Sequence, residues 1–308
     1  MTRYKIIVNP TSGRGEGGRS YPEIERLLTG YGFDFEMVRT EAPDHAIQLA
    51  KDAVVAGFDI VVSAGGDGTA NEVLNGLVGA SQAGLGGAAM GVIPVGRGND
   101  YSFGVKVPID IAASCQVLAQ DNRHTIDVGC ATGGDYPQGR YFGNGVGIGF
   151  DAVVGFEALK LKRLHGFPSY IVAALKTIFL YYTAPTVRVE FNDQVIVQPA
   201  LMISIMNGRR LGGGFMMAPD GLMDDGLFDL TIADQVSRAS ILYMITRFMQ
   251  GTQASHYAIH TYQTAALRVT AVEGTLPVHM DGETLCEKGE SLELKLIPAA
   301  LEVVTIEG

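Results

Sequence analysis

Tryptophan is absent from the 308 residues, and cysteine occurs only at Cys115, Cys130 and Cys286. The three cysteines lie far apart and form no Cys-x-x-Cys pair, which argues against a disulfide framework. Such sparse cysteine usage is typical of a reduced, cytosolic chain with small buried thiols.

Positive charge is also scarce, with 23 lysines and arginines against 33 aspartates and glutamates and a net charge of −10. No strong basic patch is visible, so the charge balance argues against nucleic acid as a partner.

A membrane-spanning run is missing as well. The start, MTRYKIIVNP, lacks the apolar core and cleavage site of a signal peptide. The longest apolar stretch, residues 170–182, is interrupted by Lys176 and is shorter than the about 20 residues that a spanning helix needs. We therefore expect a cytoplasmic protein. The helix predicted at about 156–182 combines a broad apolar face with the basic residues Lys160, Lys162, Arg163 and Lys176. This combination allows peripheral contact with the inner membrane face, although core packing is the default interpretation.

Several familiar active-site motifs are absent. There is no Gly-x-Ser-x-Gly, and no glycine loop continues into the Gly-Lys-Ser/Thr of a Walker A motif. His256 and His260 have the spacing of zinc ligands but no adjacent glutamate, so a solvated helix face is the better interpretation.

Glycine, in contrast, is abundant with 40 residues, and hydrophobic residues make up 47%. In the first third of the chain, predicted strands alternate with predicted helices. The strands are at 4–8, 34–40, 59–64 and 90–95, and the helices are at 21–32, 42–57 and 69–80. Asp44 is the candidate N-cap of the second of these helices. This alternation predicts an α/β domain with a parallel sheet over residues 1–125.

Short strands separated by turns predict an antiparallel β-sandwich or barrel over 126–294, interrupted by the helical segment. Sites in such proteins usually lie in the cleft between domains, at the carboxyl ends of the parallel strands.

Three glycine-rich loops each follow a predicted strand: NPTSGRGEGG at 9–18, GGDGT at 65–69 and GRGND at 96–100. Loops at the carboxyl ends of neighbouring parallel strands converge, and their backbone amides can hold an anion. Taken alone, the first loop is also compatible with a weak dinucleotide motif or a plain flexible loop.

Asp67 stands in the middle of the second loop, where an anion is expected. A carboxylate there repels phosphate unless a divalent cation or a proton lies between them, which indicates Mg²⁺–nucleotide chemistry. A turn or helix-capping role is equally compatible with the spacing.

Two acid-rich turns stand out in the second half. Asp220, Asp224 and Asp225 are candidates for binding a hard cation, or for a solvated hairpin. Asp281 and Glu283 are candidates for general-base catalysis toward an alcohol, or for a hairpin tip.

These motifs together, in this order, resemble the diacylglycerol kinase catalytic family and especially its soluble bacterial lipid kinases. The resemblance covers nearly the whole chain. It implies a Rossmann-like nucleotide domain, to which the last strand at about 295–308 returns, and a β-sandwich domain. It further implies transfer of the γ-phosphoryl group of ATP, with Mg²⁺, to a lipid alcohol, most readily diacylglycerol. Sphingosine, ceramide or another lipid alcohol remains an alternative, as do an NAD kinase-like activity and a non-catalytic nucleotide-binding module. The sequence leaves a homodimer open.

The resemblance also implies roles for individual positions. Asp281 matches the proton acceptor, with Glu283 beside it. Leu222 and Leu227 match carbonyl ligands of a structural Mg²⁺, and Asp225 matches its carboxylate ligand. Asp67 and Asp127 match acids linked to that metal's network or to the catalytic cation. The positions that match the ATP site are Asn9, Pro10, Thr11, Ser12, Gly13, Thr40, Gly65, Gly66, Asp67, Gly68, Thr69, Asn71, Glu72, Gly96, Arg97, Asn99 and Asp100. Arg97 departs from the usual threonine or serine, although arginine can also pair with phosphate.

Overall fold

The computed structural model describes residues 1–161, 167–180 and 184–306. The chain forms two compact units, Met1–Val128 with Pro298–Gly308 and Gly129–Ile297. The first unit begins with β1 (Arg3–Val8), α1 (Ser12–Gly30), β2 (Asp34–Arg39), α2 (His45–Val55), β3 (Ile60–Gly65), α3 (Asp67–Gln82), β4 (Ala89–Pro94), α4 (Asp100–Gly104) and α5 (Ile111–Gln120). The chain enters the second unit within β5 (Arg123–Gly133).

The remaining elements are β6 (Tyr136–Phe142), β7 (Gly145–Gly149), α6 (Phe150–Lys160), α7 (Phe167–Leu180), β8 (Thr186–Phe191), β9 (Gln194–Met206), β10 (Arg210–Leu211), β11 (Phe215–Met216), β12 (Phe228–Asp234), α8 (Arg238–Gln250), β13 (Ile259–Thr264), β14 (Ala266–Glu273), β15 (Leu276–Met280), β16 (Glu283–Gly289) and β17 (Ser291–Val304). The last of these, β17, carries the chain back to the first unit.

The sheet of the first unit is parallel, in the order β2-β1-β3-β4, and Val303 of β17 pairs with Met90 of β4 in the same direction. All residues of β3 and β4 are buried, as expected of parallel strands covered on both faces. The predicted α/β domain with a parallel sheet is therefore confirmed.

Two local predictions in this unit are wrong or incomplete. Asp44 stands before α2 with a left-handed backbone, and its side chain accepts no capping hydrogen bond. Glu72 takes that role from α3, since its Oε2 accepts the N–H of Ala46 at 3.0 Å. The helices α4 and α5 were not expected, because α4 has only five residues and α5 carries no acid or base in its first or last turn.

The described strand pairs of the second unit are antiparallel, with β9 joined to β7, β8 and β12, and β15 lying between β7 and β16. Side chains alternate along β9: Ile203 and Ile205 enter one hydrophobic core, while Met202 and Met206 enter another. The first core contains the stacked rings of Phe142 and Phe228, whose centroids lie 5.5 Å apart. This arrangement confirms the predicted sandwich-like β domain.

The second core lies between the strands and the helices α6, α7 and α8. The helix predicted at about 156–182 begins earlier, at Phe150, and Lys162 and Arg163 fall outside the described residues. No helix in the described ranges is long and apolar enough to cross a membrane.

The interpretation of His256 and His260 as a helix face is wrong. His256 follows a short 3-10 turn, and His260 lies in β13 with its Nε2 atom 2.9 Å from Oδ2 of Asp234.

Candidate active site

The second and third glycine loops meet backbone to backbone. A Cβ atom on Gly96 would lie 2.4 Å from the Cα atom of Gly66, and one on Gly66 would lie 3.1 Å from the Cα atom of Gly96. The first distance is too short for any side chain, and the second is tighter than an ordinary van der Waals contact, so glycine at both positions permits the close approach. The N–H of Val95 also donates to the carbonyl of Gly65 at 2.7 Å.

The first loop, which was predicted at 9–18, passes at Ser12 into the start of α1, where Gly13, Arg14 and Gly15 have non-helical backbone angles. It joins the same cluster. The hydroxyl of Ser12 donates to the carbonyl of Val95 at 2.8 Å, and Nδ2 of Asn9 donates to Oγ1 of Thr69 at 2.9 Å. Oδ1 of Asn9 accepts the N–H of Thr11 at 3.0 Å. Gly13 takes a φ of 55°, and a Cβ there would lie 2.8 Å from the oxygen of Val95. The structure therefore brings the three glycine loops together at the carboxyl ends of β1, β3 and β4.

Asp67 is the first residue of α3 and is partly exposed within this cluster. Its Oδ1 atom accepts the N–H of Tyr101 at 2.9 Å, and its Oδ2 atom lies 2.9 Å from the place of a Cβ on Gly98. The carboxylate thus connects the second loop with the third. This contact differs from the helix cap that the spacing allowed, because Asp67 accepts its bond from another segment.

The third loop is closed by Asn99, which has a φ of 53° and accepts the N–H of Gly96 through Oδ1 at 2.9 Å. Asp100 is buried at the start of α4, whereas Arg97 is exposed at the tip of the loop. An exposed guanidinium beside backbone amides suits contact with an anion.

Other residues of the predicted ATP site make contacts within the scaffold. The side chain of Asn71 accepts from Nδ2 of Asn75 at 3.1 Å, while Glu72 binds the start of α2. The buried Thr40 donates its backbone N–H to the carbonyl of Val8 at 2.9 Å. These bonds hold the segments that flank the loops.

Asp127, predicted to belong to a metal network, is buried near the end of the first unit. Its Oδ1 atom accepts the N–H of Ala299 at 2.8 Å. Ala299 itself has a φ of 48°, a strained conformation for a residue with a side chain. The carboxylate therefore holds the returning strand β17 beside β5.

Asp281, in the second unit, has a carboxylate held by three backbone N–H groups. Oδ2 accepts the N–H of Gly143 at 2.8 Å, and Oδ1 accepts those of Asn144 and Gly145 at 3.0 and 2.8 Å. The residue is only 4% exposed and has a φ of 47°. Three charge-assisted hydrogen bonds stabilise the ionised carboxylate and fix its orientation.

Glu283 lies two residues further on and is much more exposed. Its Oε2 atom lies 3.7 Å from Nη2 of the buried Arg140, which is a long ion pair. The two carboxylates of this turn therefore differ in burial and in partners.

The segment with Asp220, Asp224 and Asp225, which was predicted to hold a structural metal, is a loop. Its Asp-Gly pairs suggest a hairpin, but β12, the strand that follows, pairs with β9 and β13. Oδ1 of Asp225 accepts the N–H of Leu227 at 3.0 Å, and Leu222 is 57% exposed. Burial raises the pKa of Asp229, and the charges of Asp225 and Asp220 raise it further. The local field is thus negative and suits a hard cation with oxygen ligands.

The described residues contain no cluster of three or more acidic, histidine or cysteine side chains that could hold a metal. A cation at this loop would therefore depend on backbone carbonyls and water besides Asp225, and the roles of Leu222 and Leu227 as carbonyl ligands stay a prediction.

Sequence reasoning missed one polar pair in the second unit. Nε2 of His279 lies 3.3 Å from Oδ2 of Asp151, and both side chains are largely buried. A Cβ on Gly147 would lie 2.2 Å from that oxygen and 2.4 Å from that nitrogen. The alternating glycines of GVGIG at 145–149 were a usable signal, because glycine inside a strand often marks a close approach.

Comparison with known proteins agrees with this geometry. The family model of the diacylglycerol kinase catalytic domain matches residues 3–131, and that of the YegS C-terminal NAD kinase beta sandwich-like domain matches residues 144–305. The chain belongs to the diacylglycerol kinase family. It is accordingly a kinase, as expected from its motifs.

Curated relatives in the family cover almost the whole chain. The diacylglycerol kinase of Staphylococcus saprophyticus is 28% identical over 91% of this chain and 88% of its own length. That of Bacillus subtilis is 29% identical over 92% of this chain and 90% of its own length.

Solved structures show the same fold. A diacylglycerol kinase from Bacillus anthracis superimposes with a TM-score of 0.73 at 20% identity, covering 99% of this chain and 96% of that one. Yeast NADH kinase complexed with NADH gives a TM-score of 0.52 at 11% identity, covering 100% and 84%. At these identities the comparison concerns the fold alone.

The contact between Gly66 and Gly96 can be tested by Gly96→Ala. The new methyl group would collide with backbone, so the loops must separate, at a cost of about 1–3 kcal/mol in folding free energy. We expect the affinity for a fluorescent ATP analogue to fall at least about tenfold, measured by titration beside thermal unfolding.

Gly87→Ala is the matched control, because a Cβ at Gly87 meets nothing within 4 Å. Unchanged nucleotide affinity in Gly96→Ala would show that the loop contact does not shape a nucleotide site.

Proposed function

We propose that the protein is an ATP- and Mg²⁺-dependent lipid kinase that phosphorylates the hydroxyl of a lipid alcohol. Diacylglycerol, giving phosphatidic acid, is the first substrate to consider, since the curated relatives carry that name. The observation that carries the proposal is the Asp281 carboxylate, buried and oriented by three backbone N–H groups. A fixed, ionised carboxylate is suited to accept a proton from an alcohol.

The nucleotide would be held by the cluster of glycine loops. Backbone amides of these loops and the N-terminus of α3 favour phosphate oxygens. Arg97, exposed beside them, would pair with phosphate in place of the usual threonine or serine hydroxyl. The remaining residues of the predicted ATP site position these loops.

Mg²⁺, when bound with ATP, neutralises negative charge on the phosphates. Asp67 is the side chain of the loop cluster suited to this cation, since it is a partly exposed carboxylate among the loops. A second, structural Mg²⁺ would be held by Asp225 and by the carbonyls of Leu222 and Leu227, with Asp127 in the wider network.

In the proposed reaction Asp281 accepts the proton of the lipid hydroxyl as the oxygen forms its bond to the γ-phosphorus. The bond from that phosphorus to the bridging oxygen of ATP breaks, and ADP leaves. Positioning and charge stabilisation supply most of the rate enhancement in phosphoryl transfer. Glu283, more exposed and next to Arg140, would influence the field around Asp281.

Labelled ATP with a panel of lipid alcohols and with NAD tests the proposal. We expect turnover with diacylglycerol or another lipid alcohol and none with NAD. In Asp281→Asn we expect turnover to fall by about 10²–10⁴-fold, since the proton acceptor is lost. In this variant the amide NH₂ group would face the N–H of Gly143, so two donors would meet without an acceptor. We therefore also expect a loss of about 1–3 kcal/mol in the free energy of unfolding. Thermal unfolding of the variant is measured beside its activity.

Asp67→Asn is the comparison variant for that experiment. It should weaken Mg–ATP binding, whereas Asp281→Asn should leave ATP binding intact. The opposite result would assign the proton acceptor to Asp67. In that case Asp281→Asn keeps full turnover, whereas Asp67→Asn loses turnover and keeps its affinity for Mg–ATP. Nucleotide binding without phosphoryl transfer to any acceptor would instead identify a non-catalytic module.

The structural metal can be tested without ATP. We expect Mg²⁺ to raise the melting temperature of the wild type, because a ligand that binds only the folded state stabilises it. At 100 times its Kd, such a ligand adds about 2.7 kcal/mol to the free energy of unfolding. Asp225→Asn should remove most of this gain. Asp220→Asn is the matched control, since it removes a neighbouring charge but no proposed ligand. Equal gains in both variants and the wild type would refute the site.

Peripheral membrane contact has a candidate surface on α7. Val172, Leu175 and Phe179 share one face at helical spacing and are 40%, 43% and 73% exposed. The lysines that suggested a basic surface, Lys160 and Lys176, both pair with Glu157 and lower its pKa. Within the described part of the chain, this face of α7 is therefore apolar more than basic.

We expect Phe179→Ser to reduce binding to sedimented phosphatidylglycerol–phosphatidylcholine vesicles about tenfold, since a buried phenyl ring contributes about 1.5–3 kcal/mol. Val55→Ser is the control, because it alters another exposed apolar residue, 63% exposed, on α2 of the first unit. The same vesicle binding in both variants would exclude α7 as the contact.

A further inference from the structure

The turn that binds the Asp281 carboxylate is itself held by a second segment of the same unit. Residues 143–145 supply the three N–H groups that the carboxylate accepts. The second segment consists of Asn207 and Gly208, which follow directly after β9. Asn207 is fully buried, so its side-chain amide contacts protein and not bulk water.

Two peptide groups of the turn donate to Oδ1 of this carboxylate, and both accept hydrogen bonds at their carbonyl ends. The peptide group between Gly143 and Asn144 donates its N–H at 3.0 Å, and its carbonyl accepts Nδ2 of Asn207 at 2.9 Å. The next peptide group, which ends at Gly145, donates its N–H at 2.8 Å. Its carbonyl accepts the backbone N–H groups of Asn207 and Gly208 at 2.9 and 2.8 Å. Two series of hydrogen bonds therefore run from the second segment to one carboxylate oxygen.

These series strengthen the donors that face Asp281. A peptide group that accepts a hydrogen bond at its carbonyl is polarised and becomes a better donor at its N–H. Stronger donors favour the ionised form of the carboxylate, and a held carbonyl also fixes the direction of the N–H. The amide of Asn207 is the member of these series that a substitution can remove, because the backbone N–H groups remain.

The two segments also fit closely on their other side. Nδ2 of Asn144 donates to the carbonyl of Arg210 at 2.8 Å. A Cβ atom on Gly208 would lie only 2.1 Å from Oδ1 of Asn144, so glycine permits this approach. The contact between the segments is therefore built into the fold.

Other charged groups of the second unit also act on Asp281. The charged or titratable residues near it on neighbouring elements are Arg140 on β6, Asp151 on α6, Arg210 on β10, His279 on β15 and Glu283 on β16. A neutral substitution of Asn207 changes none of these charges. A change in the proton affinity of Asp281 in such a variant would therefore report the hydrogen bonds.

We propose that Asn207 is a positioning residue for Asp281, whose amide orients and polarises the peptide group between Gly143 and Asn144 and so keeps the carboxylate ionised and correctly directed. This inference rests on the proposed role of Asp281 as proton acceptor in the lipid kinase reaction. It adds a fully buried residue that acts on the reaction only through the turn.

The proposal is tested with Asn207→Ala by the pH dependence of kcat/KM for dioleoylglycerol in detergent micelles. Activity falls on the acid side as Asp281 takes up a proton, and weaker donors make that uptake easier. We therefore expect the acid limb to move to higher pH by about 0.5–1 unit, with the KM for ATP unchanged.

Thr264→Val is the matched control, since it also removes a buried side-chain donor to a backbone carbonyl of the second unit. The hydroxyl of Thr264, a residue that is 1% exposed, donates to the carbonyl of Ala266 at 2.7 Å. We expect both variants to melt at a lower temperature and only Asn207→Ala to move the acid limb. An acid limb at the wild-type pH in folded Asn207→Ala, or the same movement in Thr264→Val, would overturn the proposal.

A second measurement on the wild type needs neither turnover nor a folded variant. Protein labelled with ¹³C and ¹⁵N is titrated with acid and followed by NMR. The side-chain amide of Asn207 should shift with the same midpoint as the carboxyl carbon of Asp281, because they lie at the two ends of one series of hydrogen bonds. Unrelated midpoints refute the proposal. If the wild type phosphorylates no lipid alcohol, the proposed function fails, whereas this titration still decides whether Asn207 acts on the carboxylate.

Discussion

The contact between the backbones of Gly66 and Gly96 is the constraint on which the loop cluster depends. It follows from the parallel sheet, because β3 and β4 are hydrogen-bonded neighbours and end at the same edge. Their following loops must pass at van der Waals distance, where any side chain would collide. Once the loops are that close, Asp67 reaches the N–H of Tyr101 and Asn99 closes the third loop. Separation of the two loops would move the Asp67 carboxylate away from the N–H of Tyr101.

The second unit uses a different constraint, the satisfaction of a buried charge. Asp281 is nearly inaccessible to water, so its carboxylate needs protein donors, and the N–H groups of Gly143, Asn144 and Gly145 supply them. The same bonds fix the start of β7, which also carries Gly147 beside the pair of Asp151 and His279. One turn thus orients the proposed proton acceptor, while the neighbouring positions of β7 and β15 hold the pair of Asp151 and His279. Both features depend on the register of two strands.

Much of the architecture was predictable because its signals are local. Apolar runs and glycine loops in alternation indicated the parallel sheet, and turn residues between short strands indicated the β domain. Local signals failed where another segment supplies the partner. Asp44 has the residue type and position of a cap, but its backbone is left-handed and its side chain makes no capping hydrogen bond, whereas Glu72 of α3 accepts the N–H of Ala46 in α2. His256 and His260 have helical spacing, yet His260 pairs with Asp234 across the strands β12 and β13.

The amino-acid sequence by itself determined which residue types could line the site: three glycine loops after three strands, an aspartate among them, and the Asp281 turn. These features are readable because backbone conformation and strand periodicity are encoded within a few residues. Only the tertiary structure decided what the side chains contact. In the structure the Asp67 carboxylate accepts the N–H of Tyr101, and Asp127 accepts the N–H of Ala299 in the returning strand β17. Asp151 lies beside His279 in the space that Gly147 leaves free. The members of each pair are distant in the chain, and the pairing of strands and packing of helices from separate segments bring them together.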